Sequence, residues 1–405
     1  MGKTVFLKLM RPRCLGRGLD TAKIAKYFEM NGYKQTNDSS LADFIVIVTC
    51  GVLEDIQERA IKHIKELNEK KGELIVLGCL PGIVPEKIKK IFKGKRLTPD
   101  RLNEIDKFFP EFTVKFKNVP EQNFPLLANT DEEAKLQKIN HFLSRLPNIK
   151  KHLYPDSGIK IEGMPDKKTK TGIIRITNGC LESCSYCLIN KATGRLRSKP
   201  LKKCIEEYKS LIFQGCNVVL FDGEEIGAYG VDIKTALPVL LEKIVEIDKQ
   251  KKAKWIFRDM SPRWAILYQK SLLKHVKEKR IAGFGLAFQS GSQRILGLMR
   301  RNYSIQDLKD LFKKFKQADP KINLFTQFII GFPTETFEEF MDSLNLAKDL
   351  DIGSAQFFRY NEFNGSASYS LPNKVSQEEI TRRMDIVKRE MKSFLKKEQI
   401  NKLFA

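Results

Sequence analysis

Gly172-Ile-Ile-Arg-Ile-Thr177 runs straight into Asn178-Gly-Cys180-Leu-Glu-Ser-Cys184-Ser-Tyr-Cys187, so a short apolar stretch is followed at once by three cysteines spaced CxxxCxxC. The apolar stretch reads as a buried strand and the cysteines as the loop that leaves it. Comparable runs recur at Asn217–Phe221, Trp255–Phe257, Ala282–Phe288 and Phe325–Ile330, with helical periodicity between them. Strand–helix units repeated at this length predict a full or partial parallel barrel. Upstream, Thr4–Met10, Phe44–Thr49 and Glu73–Gly78 read as strands, alternating with helices at Thr21–Met30, Glu54–Lys70 and Pro85–Phe92. That alternation is the pattern of a doubly wound parallel sheet. The class is therefore α/β. An N-terminal doubly wound domain is expected over 1–125, a linker over 126–170, the barrel over 171–375 and a basic C-terminal helix over 376–405.

With 405 residues, 42% of them hydrophobic and 30% charged, the balance is that of a folded globular chain and excludes a disordered or collagen-like one. No apolar run approaches the roughly 20 residues that cross a bilayer, and the first ten residues are too short and interrupted for a signal peptide. A cytoplasmic protein without a membrane partner is expected. Lys and Arg number 72 against 49 Asp and Glu, a net charge of +23. Such a surface favours polyanions such as RNA, or an acidic peptide. Lysines written onto every solvated helix face would give the same total.

Eight cysteines without an export signal point to metal or catalysis rather than disulfides. Three thiolates on one loop suit three irons of a 4Fe-4S cluster, leaving the fourth iron without a protein ligand. A structural zinc site wants four ligands, and His63, His141, His152 and His275 keep no spacing to the loop. A second set emerges from strand ends. Cys14 follows the first strand, Cys50 ends Phe44-Ile-Val-Ile-Val-Thr-Cys, and Cys79 ends Leu74-Ile-Val-Leu-Gly-Cys. In a doubly wound sheet these carboxyl ends share one edge, so the three thiols are expected to converge and to hold a second incomplete set. Buried cysteines are usually small core residues, which is the reading for Cys204 and Cys216.

The CxxxCxxC loop, with Tyr186 before its third cysteine, resembles the radical S-adenosylmethionine superfamily, whose fold is a partial (β/α)6 barrel. Two three-cysteine sets in this order resemble its methylthiotransferases, which replace C–H by C–S–CH3. Asp222-Gly-Glu-Glu-Ile-Gly-Ala-Tyr-Gly-Val-Asp232, Phe288-Gln-Ser-Gly-Ser-Gln-Arg-Ile-Leu-Gly-Leu-Met-Arg-Arg-Asn-Tyr303, Phe328-Ile-Ile-Gly-Phe-Pro-Thr-Glu335 and Gly194-Arg-Leu-Arg-Ser198 are similar to that family's later motifs. The Glu-Ile-Gly-Ala-Tyr-Gly stretch is most similar to the threonylcarbamoyladenosine branch.

The resemblance implies two 4Fe-4S clusters and S-adenosylmethionine. Cys180, Cys184 and Cys187 would hold the cluster that generates the radical, and Cys14, Cys50 and Cys79 the one that supplies sulfur. Tyr186, Gly223, Glu224, Gln289, Ser290 and Gly331 would line the S-adenosylmethionine site, Gly223 and Glu224 near its amino group. The implied partners are tRNA, or a peptide or ribosomal protein, and an electron donor such as flavodoxin or ferredoxin.

The chain departs from the family at several points. Val48 stands where Asn is usual, Gln327 where Asp is common, and the segment from Cys79 to Cys180 is long. The family's C-terminal RNA-binding TRAM module is expected to have no counterpart after the barrel. Arg382, Arg383, Lys388, Arg389, Lys392, Lys396 and Lys397 of the tail are expected to serve tRNA in its place. Two further readings are a radical enzyme whose second cluster only relays electrons, and a non-catalytic RNA-binding protein with structural metal.

Overall fold

Strands β1 (Thr4–Leu9), β2 (Lys34–Thr36), β3 (Phe44–Thr49), β4 (Glu73–Gly78) and β5 (Lys95–Leu97) form one parallel sheet in the order β2-β1-β3-β4-β5. Their side chains alternate between two cores, as a sheet covered on both faces requires. Val5, Leu7, Val46, Val48 and Ile75 pack with Ile24, Tyr27 and Phe28 of helix α1 (Leu15–Met30). Phe6, Ile45, Ile47 and Val76 pack instead with Ala60, Ile64 and Leu67 of α2 (Glu54–Asn68). The sheet is doubly wound, as expected.

This computed structural model describes residues 3–11, 14–126, 128–129, 170–350, 352 and 354–394. The chain divides into two compact units, Met1–Ile161 with Lys191–Gly194, and Glu162–Asn190 with Arg195–Ala405. Most of the 126–170 stretch, read as a linker, lies outside the described residues. The weakly patterned segment after Lys93 is not all linker. A 3-10 run at Pro99–Lys107 leads into Phe109, Phe112 and Phe116, which join the α1 core. Tyr27 meets Phe109, Phe112 and Phe116 at ring-centroid distances of 6.2, 5.1 and 5.4 Å, and its hydroxyl donates to Asp106 at 2.9 Å. Such aromatic pairs contribute about 0.5–1.5 kcal/mol each beyond the area they bury.

In the second unit, β6 (Thr171–Arg175), a two-stranded ladder of β7 (Thr177–Asn178) with β8 (Arg197–Ser198), then β9 (Val218–Asp222), β10 (Lys254–Met260), β11 (Ile281–Gln289), β12 (Asn323–Ile330) and β13 (Ser354–Arg359) follow in chain order. All but the ladder pair in parallel in the order β13-β12-β11-β10-β9-β6. Among the described residues this is a six-stranded sheet in which β13 and β6 are the end strands, the strand count of a partial (β/α)6 barrel. The expected first strand over 172–177 is interrupted at Ile176, and the sixth strand, β13, has no counterpart among the apolar runs of the sequence.

One cation of the tail differs from expectation. Helix Gln377–Phe394 buries Ile380, Met384, Val387 and Met391 in the core that the sheet shares with its helices. Arg383 is buried as well, with Nη1 2.9 Å from a Glu335 carboxylate oxygen that has no exposed side-chain surface. The helix over Gln377–Phe394 is part of the barrel's own packing, and Arg383 is not on its surface.

Candidate functional site

The strand order of the first unit places a switch point between β1 and β3, the crevice where doubly wound sheets bind ligands. All three cysteines lie at its carboxyl edge. Register pairs Thr49 with Gly78, so Cys50 and Cys79 are the next residues on adjacent strands, and the Cys79 amide donates to Thr49 O at 3.0 Å. Gly78 has φ +101°, and a Cβ there would meet Thr49 O at 2.3 Å. Only glycine lets the two strands stay this close beside the thiols.

Cys14 is the N-cap of α1, where the helix dipole favours a thiolate. Burial pushes its thiol above the ordinary value, Arg17 and Arg11 oppose this, and the Cys50 thiol is near enough to raise it further. Arg11 Nη1 lies 3.9 Å from Cys50 Sγ. Thiols at neighbouring strand ends, with arginines beside Cys14 and Cys50, fit a negatively charged iron–sulfur group.

In the second unit the loop Gly179–Cys187 leaves the carboxyl edge after β7. The Glu182 amide donates to Cys180 Sγ at 3.3 Å and the Ile189 amide to Cys187 Sγ at 3.4 Å. Amides aimed at sulfur are the hydrogen bonds that tune cluster thiolates. Burial raises the Cys180 thiol, and it pushes Cys187 up to about 11. Cys180 and Cys187 each feel the charge of Cys184, so the three sulfurs are neighbours.

The loop is anchored at several points. Ser185 donates to Met299 O and Leu298 O, at 3.1 and 2.8 Å, and the Glu182 carboxylate forms an ion pair with Arg263, Nε at 2.8 Å, and accepts a hydrogen bond from Trp264 Nε1 at 3.2 Å. Among the described residues no three His, Cys, Asp or Glu side chains gather tightly enough for a single metal ion. A cluster asks for something wider, since each thiolate takes a different iron.

The other residues singled out in the sequence lie on the same edge of the second unit. Glu224 accepts the Gly179 amide at 2.9 Å, tying the turn after β9 to the start of the cysteine loop. A Cβ on Gly223 would sit 2.0 Å from Thr177 Oγ1. Gln289, the last residue of β11, holds φ at +75°, a left-handed conformation that costs a non-glycine residue about 1–3 kcal/mol and clusters at functional sites. Ser290 is fully buried and its hydroxyl accepts the Ser292 amide. Gly331, φ +83°, donates to Glu335 at 2.7 Å, and a Cβ there would strike Ile380 at 2.3 Å. Tyr186 packs beside Ile295, Met299, Phe332 and Tyr360. Cys204 and Cys216 are buried core residues, with Cys204 Sγ near Lys199 O at 3.7 Å.

Sequence reasoning missed three features. Arg301 reaches Cys184 Sγ with Nη1 at 3.5 Å. Glu182 is the anchor within the cysteine loop. Finally, a charged row crosses the inner face of the barrel sheet. Register sets Arg175 of β6 opposite Asp222 of β9, and the pairing of Phe221 with Phe257 brings Arg258 of β10 next in line. Ile174, Phe221 and Phe257 pack outward with the helices, so by strand alternation the charged residues face inward. Burial pushes Asp222 up to about 6 against the pull of Arg258 and Arg175. Strand parity was the signal that would have found this row.

Residues 174–347 match the family model described as the Radical SAM superfamily, and residues 14–98 match Uncharacterized protein family UPF0004. The tRNA-2-methylthio-N(6)-dimethylallyladenosine synthase of Caldicellulosiruptor saccharolyticus is 29% identical over 93% of this chain and 76% of its own. The probable threonylcarbamoyladenosine tRNA methylthiotransferase of Methanocaldococcus jannaschii is 26% identical, covering 88% and 76%. The ribosomal protein uS12 methylthiotransferase RimO of Citrifermentans bemidjiense is also 26% identical, covering 89% and 75%. Among solved structures, the radical S-adenosylmethionine methyltransferase TsrM of Kitasatospora setae superposes with a TM-score of 0.62 at 14% identity, over 91% of this chain and 77% of that one. No helix among the described residues is long and apolar enough to cross a membrane. With both family models in this order and methylthiotransferase relatives along nearly the whole length, the chain belongs to the radical S-adenosylmethionine methylthiotransferases, enzymes that use S-adenosylmethionine and two 4Fe-4S clusters.

Proposed function

We propose that this enzyme methylthiolates a tRNA adenosine beside the anticodon whose N6 substituent carries a carboxylate, the threonylcarbamoyl type. Cys180, Cys184 and Cys187 would hold the cluster that cleaves S-adenosylmethionine, and Cys14, Cys50 and Cys79 the cluster that supplies sulfur. Glu224, Gln289, Ser290, Gly331, Gly223 and Tyr186 would bind and orient S-adenosylmethionine at the carboxyl edge of the barrel. A carboxylate at Glu224 suits the ammonium of an amino acid moiety.

The observation that carries the substrate reading is the inward row Arg175–Asp222–Arg258. Across from it, register pairs Gln327 of β12 with Gln356 of β13, and Gly283, Gly285 and Ala287 of β11 lie between the two polar sides. An isopentenyl chain laid on this face would strip water from charged groups and return no hydrogen bond. A carboxylate offers an arginine a paired partner. Gln327, standing where the family commonly has Asp, removes a negative charge from the same face. The net charge of +23 favours a tRNA carrier.

An aspartate of a ribosomal protein is the second reading, because it too presents a carboxylate to the row and one relative bears that name. Mass spectrometry of tRNA nucleosides and ribosomal peptides from cells with and without the gene tests the proposal. A methylthio mass increment on threonylcarbamoyladenosine, lost with the gene, is expected. The increment on an isopentenyl-type adenosine would overturn it, and one on a peptide aspartate would move the function to the second reading.

A further inference from the structure

We propose that Arg301 is the built-in counter-ion of the Cys180–Cys184–Cys187 site, a positioning residue that makes the cluster held there easier to reduce. The inference rests on the reading that these three cysteines bind a cluster.

Arg301 is 6% exposed. Its Nη1 donates to Cys184 Sγ at 3.5 Å and its Nη2 to Ala287 O at 2.5 Å, while Nε is buried without a hydrogen-bond partner. The guanidinium carbon lies 5.9 Å from the centre of the Tyr303 ring. Among the described residues it forms no ion pair with a carboxylate. A buried guanidinium cannot shed its proton to escape the cost of burial, unlike lysine. Left without an anion it would be strongly destabilising. Other buried arginines here have acidic partners, such as Arg383 with Glu335 and Arg17 with Asp20. Glu225 feels the charge of Arg301, but its carboxylate is bonded to the amides of Ser261 and Gly227. The anionic partner within hydrogen-bond reach of Arg301 is the cysteine set itself.

The backbone fixes this placement. The Arg301 amide donates to Leu296 O at 2.8 Å, just after Arg300 at φ +58°. The turn just before it takes both bonds from Ser185 of the cysteine loop, through Leu298 O and Met299 O. One turn therefore both clamps the loop and carries the cation to the middle cysteine. A fixed positive charge in a low-dielectric surrounding stabilises the more negative, reduced form of a neighbouring cluster.

The test uses the full chain carrying Cys14, Cys50 and Cys79 all changed to Ala, so that only one cluster is titrated. Iron content and the reduced-cluster electron paramagnetic resonance signal are followed at a series of fixed potentials, without S-adenosylmethionine. Arg301→Met should lower the reduced-to-oxidised ratio about tenfold at a given potential, a shift of about 59 mV to more negative values for one electron. Arg301→Lys, which keeps the charge, should stay near the parent ratio. If Arg301→Met loses iron altogether, Arg301→Lys with full iron and the parent ratio still assigns the effect to charge. An unchanged ratio in Arg301→Met at full iron overturns the proposal. So does a Lys variant that shifts as far as Met, because the residue would then act through shape. A parent that binds no iron at this site removes the cluster reading itself, and the proposal with it.

Discussion

Cys180, Cys184 and Cys187 lie within eight residues of one loop, whereas Cys14, Cys50 and Cys79 come together only because β1, β3 and β4 are neighbours in a parallel sheet. The loop set is local. Its geometry is set by amides two residues beyond Cys180 and Cys187, and by the anchors Glu182 and Ser185. The sheet set is distributed, and its geometry is the register that pairs Thr49 with Gly78. Local sets are visible as motifs, and distributed sets depend on the whole fold being right. The two sets are therefore expected to fail independently and for different reasons.

The sharpest break is removal of either set. Ala at Cys180, Cys184 or Cys187 should abolish reductive 5′-deoxyadenosine formation, measured anaerobically with dithionite. The triple change at Cys14, Cys50 and Cys79 should halve the iron to about four per chain, keep 5′-deoxyadenosine formation and stop methylthio transfer. Retention of about eight irons in the triple variant would make those cysteines core residues and dissolve the comparison.

Next in size is a test of what holds the barrel's edge from behind. Glu335 accepts the Gly331 amide at 2.7 Å and pairs with Arg383 of the tail helix. Burial pushes Glu335 up to about 7 in spite of both partners. A carboxyl raised in the folded state binds more protons there than in the unfolded chain. Its contribution to stability therefore falls as pH rises from about 4.5 to 7. Arg383→Met should cost about 3–5 kcal/mol at pH 8, where it strands a buried carboxylate, and distinctly less at pH 5, where Glu335 takes a proton. Urea unfolding at the two pH values checks this, and a cost independent of pH would show that Arg383 acts by packing alone.

Two glycines sharpen the comparison further. A Cβ at Gly78 meets the Thr49 backbone at 2.3 Å, and one at Gly223 meets Thr177 Oγ1 at 2.0 Å. Gly78→Ala should cost about 1–3 kcal/mol by overpacking, with iron lost from the Cys14–Cys50–Cys79 set only. Gly223→Ala should do the same to the loop set. The two kinds of cysteine variant above, each keeping one set, let iron be assigned to a site. Iron loss from both sets in either glycine variant would show that the units are not independent.

How much of this was legible in the sequence follows the same division between local and distributed. The strands with strong apolar runs, β1, β3, β4 and β9 to β12, were legible because burial on both faces writes continuous Val, Ile, Leu and Phe. The edge strands β2 (Lys-Gln-Thr) and β5 (Lys-Arg-Leu) were not, since one side of each meets solvent and three polar-rich residues carry no period. Strand β13, Ser-Ala-Gln-Phe-Phe-Arg, hides for a similar reason, as polar residues leave it no continuous apolar run. The cysteines were readable by spacing or by position at strand ends. Arg301 was not, because nothing in Met299-Arg-Arg-Asn-Tyr303 says which arginine turns inward, and only the turn at Arg300 decides it. The buried face of the tail, with Arg383 on it, was not legible because cations dominate its composition while four apolar residues fix that face.

That tail gives the smallest expected effect. Arg382, Lys388 and Arg389 are its described surface cations, with side chains 57%, 49% and 73% exposed. Each already leans on an acid of the same helix, Arg382 on Glu379, Lys388 on Asp385 and Arg389 on Glu390. Exposed pairs of this kind are worth about 0–1 kcal/mol, so changing all three cations to Ala should move stability only slightly. The side chains of Lys392, Lys396 and Lys397 lie outside the described residues. Because the helix spends its apolar face on the barrel and its cations on neighbouring acids, tRNA affinity in the triple variant should change by less than about twofold. Each phosphate that the cations cease to neutralise would lower the slope of log affinity against log salt by roughly 0.7–0.9. A fall of about two in that slope would place this face on the RNA, and an unchanged slope assigns the tail to the barrel it covers.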